Sequence, residues 1–154
     1  GDVAATPLTI GFSTAREIVC RSCDEVRASA RTHRRTQIIE CMGRNSGRLA
    51  LEAGLAADID AVVIAEAATS VTELAQAVLA AHERQAYSVV LVAEGAHWTE
   101  LEPQQRGATP AMSEHNAAGR HGANPWLIAQ LKALCGKESR VLALGHVQRG
   151  AAPS

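Results

Sequence analysis

The chain is 154 residues long, near the size of one compact domain, and 47% of it is apolar, enough to build a substantial core. Aromatics make up only 3% while alanine, valine, isoleucine and leucine abound, which favours helices packed on a buried parallel sheet over a sandwich of exposed strands. A formal net charge of −1 gives no general pull toward nucleic acid or a membrane surface, and no apolar run is long enough to cross a bilayer or serve as a signal segment, so a cytoplasmic protein with strictly local anion affinity is expected.

In chain order, Ile18, Val19, Cys23 and Val26 recur at helical spacing, predicting a helix over residues 14–30 capped by Ser13 or Thr14. The Cys20–Cys23 pair lies inside that helix and lacks the second pair a zinc site needs, so both are read as helix thiols, as are the isolated Cys41 and Cys135. The β-branched run at 36–42 reads as a strand ending at Gly43, where the chain can turn. An Ala- and Leu-rich helix over 47–57 and a buried strand over 61–64 follow. Ser70 with Glu73 forms a capping box for a helix over 71–85, and a strand over 88–93 succeeds it. Residues 95–124 carry no sustained period and read as a long, irregular, partly disordered surface insertion. Pro125 opens a last helix bearing Trp126, Leu127, Leu131 and Leu134, which Gly136 ends before a strand over 140–144.

Strands alternating with helices, with crossovers long enough for parallel pairing, define an α/β fold: one domain over 1–154 built on a doubly wound, Rossmann-like parallel sheet with helices on both faces. In such sheets ligands sit beyond the carboxyl ends of the strands. There the sequence places Gly43 and Arg44 after the first strand, Glu94 and Gly95 after the third, and Gly145, His146, Gln148, Arg149 and Gly150 after the fourth. Guanidinium groups with an imidazole suit a phosphate, and a carboxylate suits sugar hydroxyls. Arg35 and Arg140 stand at the opposite end of the sheet, out of reach of the same site within one subunit.

The segments TIGFSTA (9–15), HRR (33–35), IECMGR (39–44), AEG (93–95) and LGHVQRGAAPS (144–154) resemble, in order and spacing, the 6-phosphofructokinase family. The resemblance runs through nearly the whole chain except residues 96–138. It implies that Met42, Gly43 and Arg44 line a fructose 6-phosphate pocket, that Glu94 holds sugar hydroxyls and that His146 and Arg149 grip the 6-phosphate. Arg35 and Arg140 match arginines that the family lends to a neighbouring subunit's 6-phosphate, which implies a homo-oligomer with shared sites.

The implied chemistry is phosphoryl transfer to the sugar 1-hydroxyl from magnesium-bound ATP or pyrophosphate, with Arg44 helping to neutralise the transferred group. The family's general base belongs to a T-I-D-N-D segment of which only Asp2, a candidate metal residue, finds a match here. The donor-binding loops also lie upstream in the family. The chain is therefore expected to be an internal piece of such an enzyme, inactive and without bound cofactor when alone. Arg27 matches an effector-site arginine of bacterial members, but Glu83 and Gln85 stand where that site has lysines. A non-catalytic sugar-phosphate-binding or regulatory module, and an assembly domain, are the alternative readings.

Overall fold

The computed structural model describes residue 6, residues 9–100 and residues 125–152. Its elements are α1 (Phe12–His33), β1 (Thr36–Cys41), α2 (Arg48–Ala56), β2 (Ala61–Val63), β3 (Ala68–Thr69), α3 (Val71–Gln85), β4 (Ser88–Ala93), β5 (His97–Trp98), α4 (Pro125–Cys135), β6 (Ser139–Ala143) and a 3-10 helix, Gly145–Arg149. The main sheet has four strands in the order β2-β4-β1-β6, every neighbouring pair parallel. Alternate residues of β1 and β4 serve opposite faces. Ile39, Cys41, Val89, Leu91 and Ala93 meet Val19, Cys23 and Ala30 of α1 and Ala50 and Ala53 of α2. Ile38, Val90 and Val92 meet Val71, Leu74 and Val78 of α3 and Leu127 and Leu131 of α4. The expected α/β fold, a Rossmann-like parallel sheet with helices on both faces, is thus the one observed. Each fully buried aliphatic side chain, such as Ile39, Leu91 or Leu131, contributes about 1.5–3 kcal/mol through its removal from water.

Several boundaries differ from the sequence expectation. α1 starts at Phe12 behind Gly11, whose φ of 83° suits a residue without Cβ, and no side chain caps it; Ser13 and Thr14 lie inside the first turn. β1 stops at Cys41, which frees Met42 for the loop. β2 ends at Val63, one residue early. β6 runs from Ser139 to Ala143, one residue earlier than expected at each end, so Arg140 is the second residue of the strand and stands opposite Gln37. The capping box of α3 forms in full, Ser70 Oγ accepting from Glu73 N–H at 3.0 Å and Glu73 Oε2 from Ser70 N–H at 2.9 Å.

The stretch expected to be irregular from residue 95 begins with order. β5 pairs with β3, Trp98 is buried against Trp126 of α4 with ring centroids 6.1 Å apart, and Glu100 accepts the Val71 N–H at the start of α3 at 2.8 Å. The remainder of that expected insertion, 101–124, lies outside the described residues.

At the amino ends of the strands, Thr36 stands level with Ser88 and Ser139. Ser88 Oγ donates to Thr36 Oγ1 at 2.9 Å, and Thr36 Oγ1 lies 3.1 Å from His82 Nε2. Burial, with Lys137 adding to it, pushes the His82 imidazole below its usual range, and Asp60 offsets this only in part. A histidine whose folded pKa is depressed is protonated first in the unfolded chain, so its contribution is fully present above the unfolded value and is lost as pH falls from there through the folded value. The urea midpoint of the chain is therefore expected to fall between pH 7.5 and pH 5.5, and His82→Gln to flatten that slope; an equal slope in the variant would assign the effect to other groups.

Candidate functional site

Beyond the carboxyl ends of β1 and β4 lies an open cleft of about 710 Å³. It is lined by Met42, Gly43 and Arg44, by Glu94, by Gln148 and Arg149, and by Phe12 and Thr14 from the start of α1. The first three belong to a tight loop. Gly43 has φ +144°, and a Cβ there would sit 2.5 Å from Ser46 O. A Cβ on Gly95 would come within 1.9 Å of Arg44 O, so the two strand-end loops touch backbone to backbone. Glu94 N–H donates to Cys41 O at 2.8 Å and Gly95 N–H to Gly43 O at 3.1 Å, extending the sheet ladder into the site and holding Glu94 beside Arg44. Both oxygens of Glu66 accept from Gly47 N–H, at 2.9 and 2.8 Å, fastening the loop where α2 begins.

Met42, Gly43, Arg44, Glu94 and Arg149, drawn from three strand ends, are thus brought together. His146 lies outside the cleft lining, at the start of the 3-10 helix that carries Arg149. Side chains three apart in such a helix eclipse, which puts His146 and Arg149 on the same side, both exposed, while Gln148 turns inward. Arg35 and Arg140 are at the far end of the sheet, as the topology required. Arg35 donates to Ser29 Oγ on α1 at 3.1 Å, and Arg140 pairs with Glu138 at 2.8 Å with both side chains 62% exposed, a contact too wet to contribute more than about 1 kcal/mol. Asp2 lies outside the described residues. Among the described residues no group of three or more His, Cys, Asp or Glu side chains could hold a metal ion.

Arg27 is committed to the fold. Its guanidinium donates to the carbonyls of Ala57 and Asp58, the latter at 3.1 Å, capping the end of α2, and pairs with Asp24 at 2.9 Å. Gln85 meanwhile binds Asp60 at 2.9 Å. Cys23 and Cys41 are buried in the core, and burial pushes both thiols up to about 12, so neither is a nucleophile near neutral pH. Sequence reasoning named Gln148 only as part of a motif, because nothing in a polar segment signals that its glutamine turns inward. Gln148 Oε1 accepts from Met42 N–H at 3.2 Å, and Nε2 donates to Gly145 O at 2.6 Å.

A parallel sheet whose strand ends gather two arginines, close-packed glycines and one carboxylate around an open cleft defines an α/β protein of the Rossmann-like class. The chain belongs to the phosphofructokinase family, whose model, Phosphofructokinase, matches residues 1–154. It is 36% identical over 154 residues to an ATP-dependent 6-phosphofructokinase of Chloroflexus aurantiacus, covering 99% of this chain and 41% of that protein. It is 35% identical over 156 residues to a pyrophosphate–fructose 6-phosphate 1-phosphotransferase of Amycolatopsis methanolica, covering 99% of this chain and 44% of that one. The phosphofructokinase structure from Saccharomyces cerevisiae superposes with a TM-score of 0.71 at 33% identity, over 96% of this chain and 18% of that one. The chain therefore spans about two fifths of the length of the curated relatives it matches.

Proposed function

We propose that the chain supplies the fructose 6-phosphate-binding part of a phosphofructokinase, an enzyme that transfers a phosphoryl group from magnesium-bound ATP or pyrophosphate to the sugar 1-hydroxyl, giving fructose 1,6-bisphosphate. The observation that carries this reading is the convergence of Arg44, Glu94 and Arg149 on one cleft. Arg149, with His146 beside it, receives the 6-phosphate through charge-assisted bonds. Glu94 accepts sugar hydroxyls, and the glycines at 43 and 95 let the ring lie against backbone. Arg44 stabilises charge on the transferring group. Arg35 and Arg140 reach the 6-phosphate of a neighbouring copy, so the working protein is a homo-oligomer with shared sites.

Positioning the sugar is one part of catalysis, and turnover also needs a general base and a bound phosphoryl donor, roles this reading does not give to the residues of the cleft. The 154-residue chain by itself is accordingly expected to give no turnover with ATP or with pyrophosphate, while fructose 6-phosphate still binds. A coupled assay showing donor-dependent fructose 1,6-bisphosphate well above a no-protein blank would overturn this division of labour.

A further inference from the structure

Gln148 is 1% exposed although its neighbours His146, Val147, Arg149 and Gly150 are all exposed. Burying a primary amide costs about 1–3 kcal/mol unless both of its ends find partners. Here the partners fix its orientation. The Met42 N–H can only donate, so Oε1 faces it at 3.2 Å; the Gly145 carbonyl can only accept, so Nε2 faces it at 2.6 Å. Met42 is the first residue after β1, and Gly145, at φ +48°, is where the chain turns into the 3-10 helix. That helix is joined to the sheet through Leu144 N–H and Glu40 O at 3.0 Å, and its own bonds, Val147 N–H to Leu144 O and Gly150 N–H to Val147 O, run along the segment. The Gln148 amide adds a buried bond from the segment carrying Arg149 to the loop carrying Arg44.

We infer that Gln148 is a positioning residue: its amide sets the spacing between Arg149 and the Met42–Arg44 loop, and the preference of the cleft for a phosphorylated over an unphosphorylated sugar depends on it. A cleft that seats the sugar against the Met42–Arg44 loop and grips its phosphate with Arg149 favours the phosphorylated sugar only when the two segments are held at a fixed separation, because a guanidinium must meet the phosphate oxygens in set directions. This inference rests on the proposed function and adds to it a residue that touches no ligand.

The test compares Gln148→Leu, which keeps the volume and loses both bonds, and Gln148→Glu, which keeps the shape and sets an acceptor against Gly145 O, with Val78→Ala, a core variant on α3 across the sheet. For each, the ratio of fructose to fructose 6-phosphate dissociation constants, the hydrogen-exchange rate of the Met42 amide and the urea midpoint are measured. Both Gln148 variants are expected to lose about tenfold in the ratio, and Gln148→Leu, which removes the acceptor, to exchange the Met42 amide about tenfold faster, the effect of one buried hydrogen bond, while Val78→Ala lowers the midpoint and leaves the ratio unchanged. A wild-type ratio in Gln148→Leu and Gln148→Glu, or an equal fall in Val78→Ala, overturns the inference while the proposed function stands. A wild-type chain with no preference for the phosphorylated sugar overturns the proposed function and the phosphate part of the inference with it. Unchanged Met42 exchange in Gln148→Leu overturns the role given to the Gln148–Met42 bond.

Discussion

Gly95→Ala is expected to abolish measurable fructose 6-phosphate binding. The new Cβ would stand 1.9 Å from Arg44 O and 2.6 Å from Arg44 C, and because both are backbone atoms no rotamer change relieves the overlap. The Arg44 loop must retreat by more than an ångström, and Gly95 N–H must leave Gly43 O, to which it now donates at 3.1 Å. Overpacking of this kind costs about 1–3 kcal/mol of stability, and a misplacement of about 1 Å in a substrate-positioning group costs about a hundredfold in function. Gly136→Ala is the control: its φ of +64° makes any side chain strained by about 1–2 kcal/mol, yet no atom lies within 4 Å of the added Cβ, so binding should be untouched. Calorimetric titration of the two variants, with melting curves alongside, separates loss of the site from loss of fold; normal affinity in Gly95→Ala would mean that the loop contact does not shape the cleft.

The second large effect concerns shared sites in a whole phosphofructokinase that carries this sequence. Arg140, the second residue of β6, stands about 10 Å before the carboxyl end of that strand, and Arg149 lies beyond it at the end of the 3-10 helix, so the shared-site proposal draws the two from different subunits. Arg140→Ala should weaken fructose 6-phosphate binding by about 2–5 kcal/mol through loss of a buried charge-assisted contact, and Arg149→Ala should do the same from the other subunit. The Glu138 pair that Arg140 makes here is exposed and is readily exchanged for a phosphate. Co-expression of the two variants should regenerate intact sites in hybrid oligomers, since a site can draw Arg140 from one partner and Arg149 from the other. Hybrids no better than either variant in substrate affinity and rate would sink the shared-site account.

The fold was legible in the sequence wherever burial imposes a period. Val19, Cys23, Val26 and Ala30 trace one face of α1, and Ser70 with Glu73 marked the start of α3 because the capping box is a local, reciprocal pair of bonds. Less legible were features set by tertiary contact. Gly11 begins α1 without any side chain to announce it, whereas the hydroxyls of Ser13 and Thr14 offered a stronger local signal. The strands β3 and β5 have two residues each, too few to show alternation, and only the pairing of Ala68 with His97 reveals them. In the candidate site, glycines and charges at strand ends were visible because the parallel topology dictates where strands deliver their loops. The inward turn of Gln148, and the commitment of Arg27 to the end of α2 across some thirty residues of sequence, depend on what the fold brings near them.

The most direct measurement is a calorimetric titration of the wild-type and Arg149→Ala chains with fructose 6-phosphate, fructose and inorganic phosphate. The account predicts saturable binding of fructose 6-phosphate at least about tenfold tighter than either half of the molecule alone, and loss of most of that advantage in Arg149→Ala, because one charge-assisted bond carries it. Equal affinity for fructose and fructose 6-phosphate, or an advantage that survives the removal of Arg149, would contradict a sugar-phosphate site at this cleft.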